Sequence, residues 1–168
     1  MMAEVCYIGS HGTSRSKYNA ICREGFKLGS GRAGKGVYFW IENPLYLELA
    51  IDWCKFRGIS DGVIIIAEIK AEDTEYLDLE DIEYSNKILT ICLEKRLNVK
   101  DNNVLEQLYN SYVEEIEREL GINIKILTKK LAAPPHSKYP MQMGAPLCCV
   151  VRDIGCIFIK YCISCEEV

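Results

Sequence analysis

The sequence predicts a single α+β domain, and three observations lead to that prediction. The 168 residues are enough to bury one small core, and 49% apolar with 26% charged residues is a globular composition. Residues 62–70 form a nearly continuous Val/Ile run, which is typical of a strand buried on both faces. Residues 85–119 repeat apolar side chains at helical spacing, so we expect helices beside the strands.

Local signals predict the remaining elements. Residues 5–10 and 37–40 are expected as strands, and residues 14–24 as a helix that ends at Gly25, because glycine favours that position. Asn43-Pro44 predicts the start of a second helix, since proline suits the first helical position. Residues 76–80 indicate an edge strand or a turn, residues 132–146 a loop, and residues 147–151 and 156–163 two closing strands. The helical segment, broken near residues 98–103, is interpreted as an insertion near residues 85–120 that packs on the core or forms a lid or partner surface.

Composition excludes several classes of function. A net charge of −4 and a pI near 5.3 argue against a broad basic surface for nucleic acid. The longest apolar run is too short to span a bilayer, and the first residues show no secretory signal, so we expect a cytoplasmic protein without membrane contact. The oligomeric state is not predicted.

The nine cysteines favour a reduced chain that uses cysteine as a small apolar residue. Their number is odd, and most of them lie in apolar surroundings. Cys162 and Cys165 have the spacing of half a zinc site, but no second half follows, so no metal is predicted.

Residues 7–40 carry the strongest functional signal. A His-Gly-Thr triplet at residues 11–13 ends a predicted strand, a Gly-Phe pair follows the first helix, and Gly-Lys-Gly-Val-Tyr-Phe at residues 34–39 enters the next strand. The glycine-rich stretch at residues 29–36 is not a phosphate loop, because it lacks the Gly-x-x-x-x-Gly-Lys-Ser/Thr order and leads into a strand.

These motifs, in this order, resemble the ADP-ribosyltransferases, in the branch of the poly(ADP-ribose) polymerases and diphtheria toxin. The resemblance implies a split β-sheet core, made of two small, mostly antiparallel sheets with flanking helices, and NAD bound between the first two strands. It implies that His11 binds a ribose hydroxyl, that the Gly12 backbone holds the nicotinamide amide and that Tyr38 stacks on the nicotinamide. Thr13 and Gly36 complete the expected cofactor-binding set, with Tyr46 or Trp53 as a second aromatic wall.

The third motif departs from the family pattern. The family carries a glutamate on a late strand, where it stabilises the developing ribose cation, and the matching strand here is Leu-Cys-Cys-Val-Val at residues 147–151. The aligned position is Cys148, which we assign as the third catalytic residue beside His11 and Tyr38. Gln142 and Glu117 are the alternatives for a residue that takes over this role from elsewhere. A Cys148–His11 cysteine hydrolase is a further alternative, which the order of elements disfavours.

The expected activity is therefore mono-ADP-ribosyl transfer from NAD to a macromolecule, with release of nicotinamide and without polymer synthesis. NAD is the expected substrate, and a protein acceptor is favoured over nucleic acid. The alternative is a degenerate module of the same fold that binds NAD, ADP-ribose or a protein partner without turnover.

Overall fold

The computed structural model describes residues 3–168, which form an α+β fold with one seven-stranded mixed sheet and four helices. The sheet order is β4-β5-β6-β2-β1-β3-β7. In chain order the elements are β1 Glu4–Ser14, α1 Arg15–Glu24, β2 Val37–Ile41, α2 Tyr46–Phe56, β3 Gly62–Glu72, β4 Tyr76–Asp78, α3 Ile82–Glu94, α4 Asn102–Leu120, β5 Ile126–Lys130, β6 Leu147–Val151 and β7 Ile157–Ser164.

Several elements match the sequence predictions closely. Ser14 caps α1 by accepting the Lys17 N–H, and Gly25 ends the helix with a φ of 84°, a backbone conformation that favours glycine. The Val/Ile strand β3 lies inside the sheet, next to the edge strand β7, and pairs with β1 on one side and β7 on the other. The short strand β4 lies at an edge of the sheet, as expected for residues 76–80.

Other predictions need correction. The prediction of two packed sheets is wrong, because a single sheet contains all seven strands. Strand β5 was not predicted, and its parallel pairing with β4 makes the sheet mixed. Strand β1 does not stop at residue 10 but continues to Ser14 through the His-Gly-Thr triplet. Helix α2 begins at Tyr46, two residues after Pro44, and the helical segment begins at Ile82 and breaks between Glu94 and Asn102.

Three apolar clusters hold the helices on the sheet. One lies between α3, α4 and the β5–β6 side and includes Tyr112, Val113 and Val150. A second includes Phe26, Phe39 and Ile65 on the face that also contacts α1. The third lies under α2 and includes Ala50, Ile64 and Ile66. Helices α2 and α4 therefore cover different parts of the sheet, on either side of the β1–β2 boundary.

Candidate functional site: an opening between two strands

The sheet opens between β1 and β2. These strands share only two residue pairs, Gly9 with Ile41 and Ser10 with Trp40. Strand β1, in contrast, pairs with β3 over its whole length, from Glu4 to Ser14. Beyond Ser10, β1 therefore stays with β3 while β2 stays with β6, and the two halves of the sheet separate.

His11 is the first residue past the last β1–β2 pair, and its side chain crosses the opening. Its Nδ1 lies 2.8 Å from the Tyr38 carbonyl oxygen. A carbonyl only accepts hydrogen bonds, so Nδ1 must carry the hydrogen and donate it. The ring contacts Phe26 and Phe39, with centroid distances of 5.7 and 5.4 Å.

The His11 ring is held in its neutral form. Burial lowers the pKa of His11 below its usual 6.5, and the positive charge of Lys17 lowers it further. With the hydrogen on Nδ1, the neutral ring presents Nε2 as an acceptor. Among residues 3–168 Nε2 has no hydrogen-bond partner, so it is free to accept from a ligand hydroxyl.

The strand register directs the Gly12 backbone into the same opening. Ile8 points its carbonyl toward β2, since it accepts the Glu42 N–H at 2.9 Å. In an antiparallel strand every second residue directs its N–H and C=O to the same side, so Ser10 and Gly12 also face β2. The β1–β2 ladder ends at Ser10, and thus no paired strand residue lies opposite the Gly12 N–H and C=O.

Helix packing explains why residue 12 is a glycine. A Cβ atom at Gly12 would lie 2.6 Å from the Ala50 carbonyl oxygen and 2.8 Å from the Cys54 Sγ. Helix α2 therefore lies directly on the β1 backbone at this point, and a larger residue would displace it. The neighbouring Thr13 is 5% exposed, and its carbonyl accepts the Cys54 thiol at 3.9 Å.

Tyr38 is fixed by the glycine-rich loop at residues 29–36. Its hydroxyl donates to the Gly34 carbonyl at 2.5 Å and accepts the Ala33 N–H at 2.9 Å. A Cβ on Gly31 would meet the Tyr38 Cζ at 2.2 Å, so the loop backbone covers the hydroxyl end of the ring. Burial raises the pKa of Tyr38, and the phenol stays protonated. A ligand can therefore reach Tyr38 only at its ring, not at its hydroxyl.

The structure joins His11 to Tyr38 through the backbone rather than side chain to side chain. The His11 ring packs against Phe39, whereas Tyr38 packs toward the α4 cluster on the opposite face of the sheet. This follows from the alternation of side chains along β2. Gly36 precedes β2, where a Cβ would meet Val150 Cγ1 at 2.7 Å, so close strand packing accounts for this glycine.

Of the two candidate aromatic walls, Tyr46 faces the sheet and Trp53 faces outward. The Tyr46 carbonyl accepts the Ser10 hydroxyl at 2.6 Å, and its ring packs with the cluster under α2. Burial, together with the nearby Tyr161, raises the pKa of Tyr46. Trp53 is 39% exposed and contacts Phe56 and the Arg57 guanidinium.

Cys148 lies opposite Trp40 on β6 and is 2% exposed. Burial raises the pKa of its thiol well above 9.0, so the thiol is protonated and poorly nucleophilic. This environment argues against a Cys148–His11 hydrolase.

The two alternatives for the third residue lie elsewhere. Glu117 is fully engaged, since Oε1 lies 3.2 Å from the Arg152 guanidinium and Oε2 accepts the Ile124 N–H at 2.9 Å. Gln142 is exposed on a short turn after Pro140.

Four cations lie on the two segments next to the opening, α1 directly after β1 and the glycine-rich loop directly before β2, although the chain is acidic overall. Arg15 and Lys17 occupy the first turn of α1, which holds no acidic residue. Arg32 and Lys35 are exposed on the glycine-rich loop. Cations at a helix N-terminus are unfavourable by themselves, and such a position favours a bound anion. Cations in these positions are able to pair with an anionic ligand.

Helix α4 holds the glycine-rich loop in place, and this contact was not predicted from the sequence. The Asn110 Oδ1 accepts the Lys35 N–H at 2.8 Å and thereby ties the glycine-rich loop to α4. The contact joins residues 75 positions apart, and no local pattern signals it.

Two surface cavities lie away from the opening: one of ≈ 280 Å³ between α3 and α4, and one of ≈ 370 Å³ beside Glu114 and Ile122.

Neither a protein-family model nor a curated protein sequence matches this chain. Within residues 3–168, no helix combines the length and apolar character needed to cross a membrane. The functional interpretation therefore depends on the chemistry of the opening itself.

Proposed function

We propose that the protein is a mono-ADP-ribosyltransferase that uses NAD, releases nicotinamide and attaches ADP-ribose to a macromolecule. The observation that carries the proposal is the free peptide edge of Gly12 beside the neutral His11, where the β1–β2 ladder stops. A primary carboxamide needs one donor and one acceptor in a fixed arrangement, and a single residue of extended backbone offers both.

Each motif residue has a role in this proposal. The Gly12 N–H and C=O hold the carboxamide, and the His11 Nε2 accepts a hydrogen bond from a ribose hydroxyl. The Tyr38 ring, fixed through its hydroxyl, and Tyr46 supply the aromatic walls. The cations of α1 and the glycine-rich loop pair with the diphosphate. Holding NAD in this way lets the enzyme promote a reaction whose leaving group, nicotinamide, is already good.

The second candidate function is a module that binds NAD or ADP-ribose without turnover. The buried, protonated thiol of Cys148 favours it, because β6 then offers no group that stabilises a ribose cation. The same opening serves both candidates, so nicotinamide release separates them. The acidic composition favours a protein acceptor for the transferase.

The deciding experiment incubates the protein and a cell lysate with NAD labelled in its adenylate half, and follows free nicotinamide and label on protein and nucleic acid. His11→Asn is the diagnostic variant. The Asn amide occupies the place of Nδ1 and keeps the bond to the Tyr38 carbonyl, but it removes Nε2. The exposed His136 provides the control, as His136→Asn.

Label on protein that disappears in His11→Asn and persists in His136→Asn supports the transferase. Nicotinamide release without label indicates an NAD hydrolase, and NAD binding without release indicates the module. If the wild-type protein neither binds NAD nor releases nicotinamide, the proposal is wrong.

A further inference from the structure

Two glycines on the neighbouring strands β1 and β3 make room for a pair of cysteines. A Cβ at Gly12 would lie 2.8 Å from the Cys54 Sγ, and a Cβ at Gly62 would lie 3.3 Å from the same sulfur. The Gly62 Cβ would also lie 2.6 Å from the Cys165 Sγ. Both sulfurs therefore lie around one point above Gly62, and they cannot be farther apart than the sum of their distances from that point.

The two thiols also influence each other's ionisation. Burial, followed by the charge and the hydrogen bond of the neighbouring Cys165, raises the pKa of Cys54 to about 12. Burial raises the pKa of Cys165 as well, but the hydrogen bond from Cys54 and the positive charge of Lys55 oppose this rise. Cys165 is thus the thiol of the pair that ionises more readily, and the thiolate is the reactive form.

Cys162, the cysteine nearest to Cys165 in the sequence, is not placed to be its partner. Cys162 lies opposite Ile65, which belongs to the apolar cluster on the α1 face of the sheet. Cys165 packs instead with the cluster under α2, on the other face. Residues opposite each other on paired strands point to the same face, so the two sulfurs of this Cys-x-x-Cys sequence lie on different sides of the sheet.

The pair lies where the end of α2 meets the short turn Cys165–Glu167 after β7. Cys165 is half-buried, so a small oxidant can reach it from solvent, whereas Cys54 is 2% exposed. The Cys54 thiol has two acceptors within reach, the Thr13 carbonyl at 3.9 Å and the Cys165 sulfur. An oxidised Cys165 would therefore meet Cys54 before it meets a thiol from solution.

We propose that Cys54 and Cys165 are a site of reversible oxidation, at which a peroxide closes a disulfide between α2 and the turn after β7. The Cys165 thiolate attacks one oxygen of hydrogen peroxide, and the O–O bond breaks. The product is a sulfenic acid, and the departing hydroxide takes up the proton that Cys165 lost and becomes water. The Cys54 sulfur then bonds to the Cys165 sulfur, the S–O bond breaks, and hydroxide leaves with the Cys54 proton as a second water. Two thiols are oxidised while one peroxide is reduced, and an added dithiol reverses the reaction.

The disulfide fixes α2 over the end of β1. Cys54 lies beside Gly12, where β1 borders the opening, so the cross-link holds the helix against this part of the β1 backbone. The dithiol chemistry needs neither NAD nor nicotinamide release, and it is therefore independent of the proposed function.

The test treats the purified wild-type protein with hydrogen peroxide, alkylates the remaining thiols in urea, and maps the unreduced peptides by mass spectrometry. We expect a peptide that joins Cys54 to Cys165, about 2 Da lighter than its two thiol components. The urea midpoint should rise by roughly 1 M, because a disulfide that closes a long loop constrains the unfolded chain. Dithiothreitol should reverse both changes. Cys165→Ser should lose both, whereas Cys162→Ser, the matched change on β7, should retain them.

Three results would overturn the proposal. The first is a disulfide between Cys162 and Cys165 in place of the expected one. The second is peroxide treatment that leaves Cys54 open to alkylation, whether Cys165 stays a thiol or oxidises further to a sulfinic acid. The third is a urea midpoint that peroxide does not change in the wild type, or that rises equally in Cys165→Ser. Failure of the NAD experiment would refute the transferase and leave these outcomes unchanged.

Discussion

Removing the Tyr38 hydroxyl should destabilise the protein by about 2–4 kcal/mol. The hydroxyl makes two hydrogen bonds within the glycine-rich loop, to the Gly34 carbonyl and from the Ala33 N–H. Ala33 is 0% exposed, so Tyr38→Phe leaves a buried N–H without a partner. An unsatisfied buried group costs about 1–3 kcal/mol, and the second lost bond adds roughly 1 kcal/mol.

Urea unfolding measures the loss of stability, and hydrogen exchange of the Ala33 amide locates it. The exchange rate should rise by more than tenfold in Tyr38→Phe, since about 1.4 kcal/mol corresponds to a factor of ten. Tyr139→Phe is the control, because the Tyr139 hydroxyl has no hydrogen bond with residues 3–168. A loss below about 0.5 kcal/mol, with the Ala33 amide still protected, would refute the view that this hydroxyl anchors the loop.

Three further predictions concern the opening. The pKa of His11 is lowered in the folded protein, so below pH 6.5 the unfolded chain binds more protons than the folded chain. The free energy of unfolding should therefore decrease as the pH falls, by up to about 1.4 kcal/mol per pH unit. Urea midpoints measured across this pH range should lack this decrease in His11→Asn, and equal pH profiles of variant and wild type would contradict the prediction. Gly12→Ala should lower the free energy of unfolding, measured with urea, by about 2 kcal/mol or more, because its Cβ would meet the α2 backbone. Gly29→Ala is the control and should be tolerated, since a Cβ there has only ordinary contacts. Cys148→Glu should lower the free energy of unfolding by at least about 3 kcal/mol, since it buries a charge; a stable variant with faster nicotinamide release would show that the site is more open than its burial indicates.

The sequence predicted the elements whose signals are local. The helix predicted over residues 14–24 and its end at Gly25 depend on a few neighbouring residues, and the structure has α1 at Arg15–Glu24 with Gly25 as its C-cap. The Val/Ile composition of β3 predicted burial on both faces, and residues 63–67 of this interior strand are buried. His11 and Tyr38 were also placed on neighbouring strands, because the spacing of the motifs allows little else.

The features that the sequence did not predict depend on distant parts of the chain. Strand β5 is short and has only three buried residues, and its parallel pairing with β4 is set by the long α3–α4 connection. The packing of α2 against Gly12 gives a structural reason for a glycine that the motif alone suggests is functional.

The two-pair junction between β1 and β2 also has a consequence for how this chain folds. The half with β1, β3 and β7 and the half with β2, β4, β5 and β6 are interleaved, so that the chain passes four times from one to the other. No single cut along the chain releases either half intact. Both halves must assemble together through contacts between distant residues, a topology that slows folding. The β1–β2 junction, although it has only two residue pairs, is thus not a boundary between independent folding units.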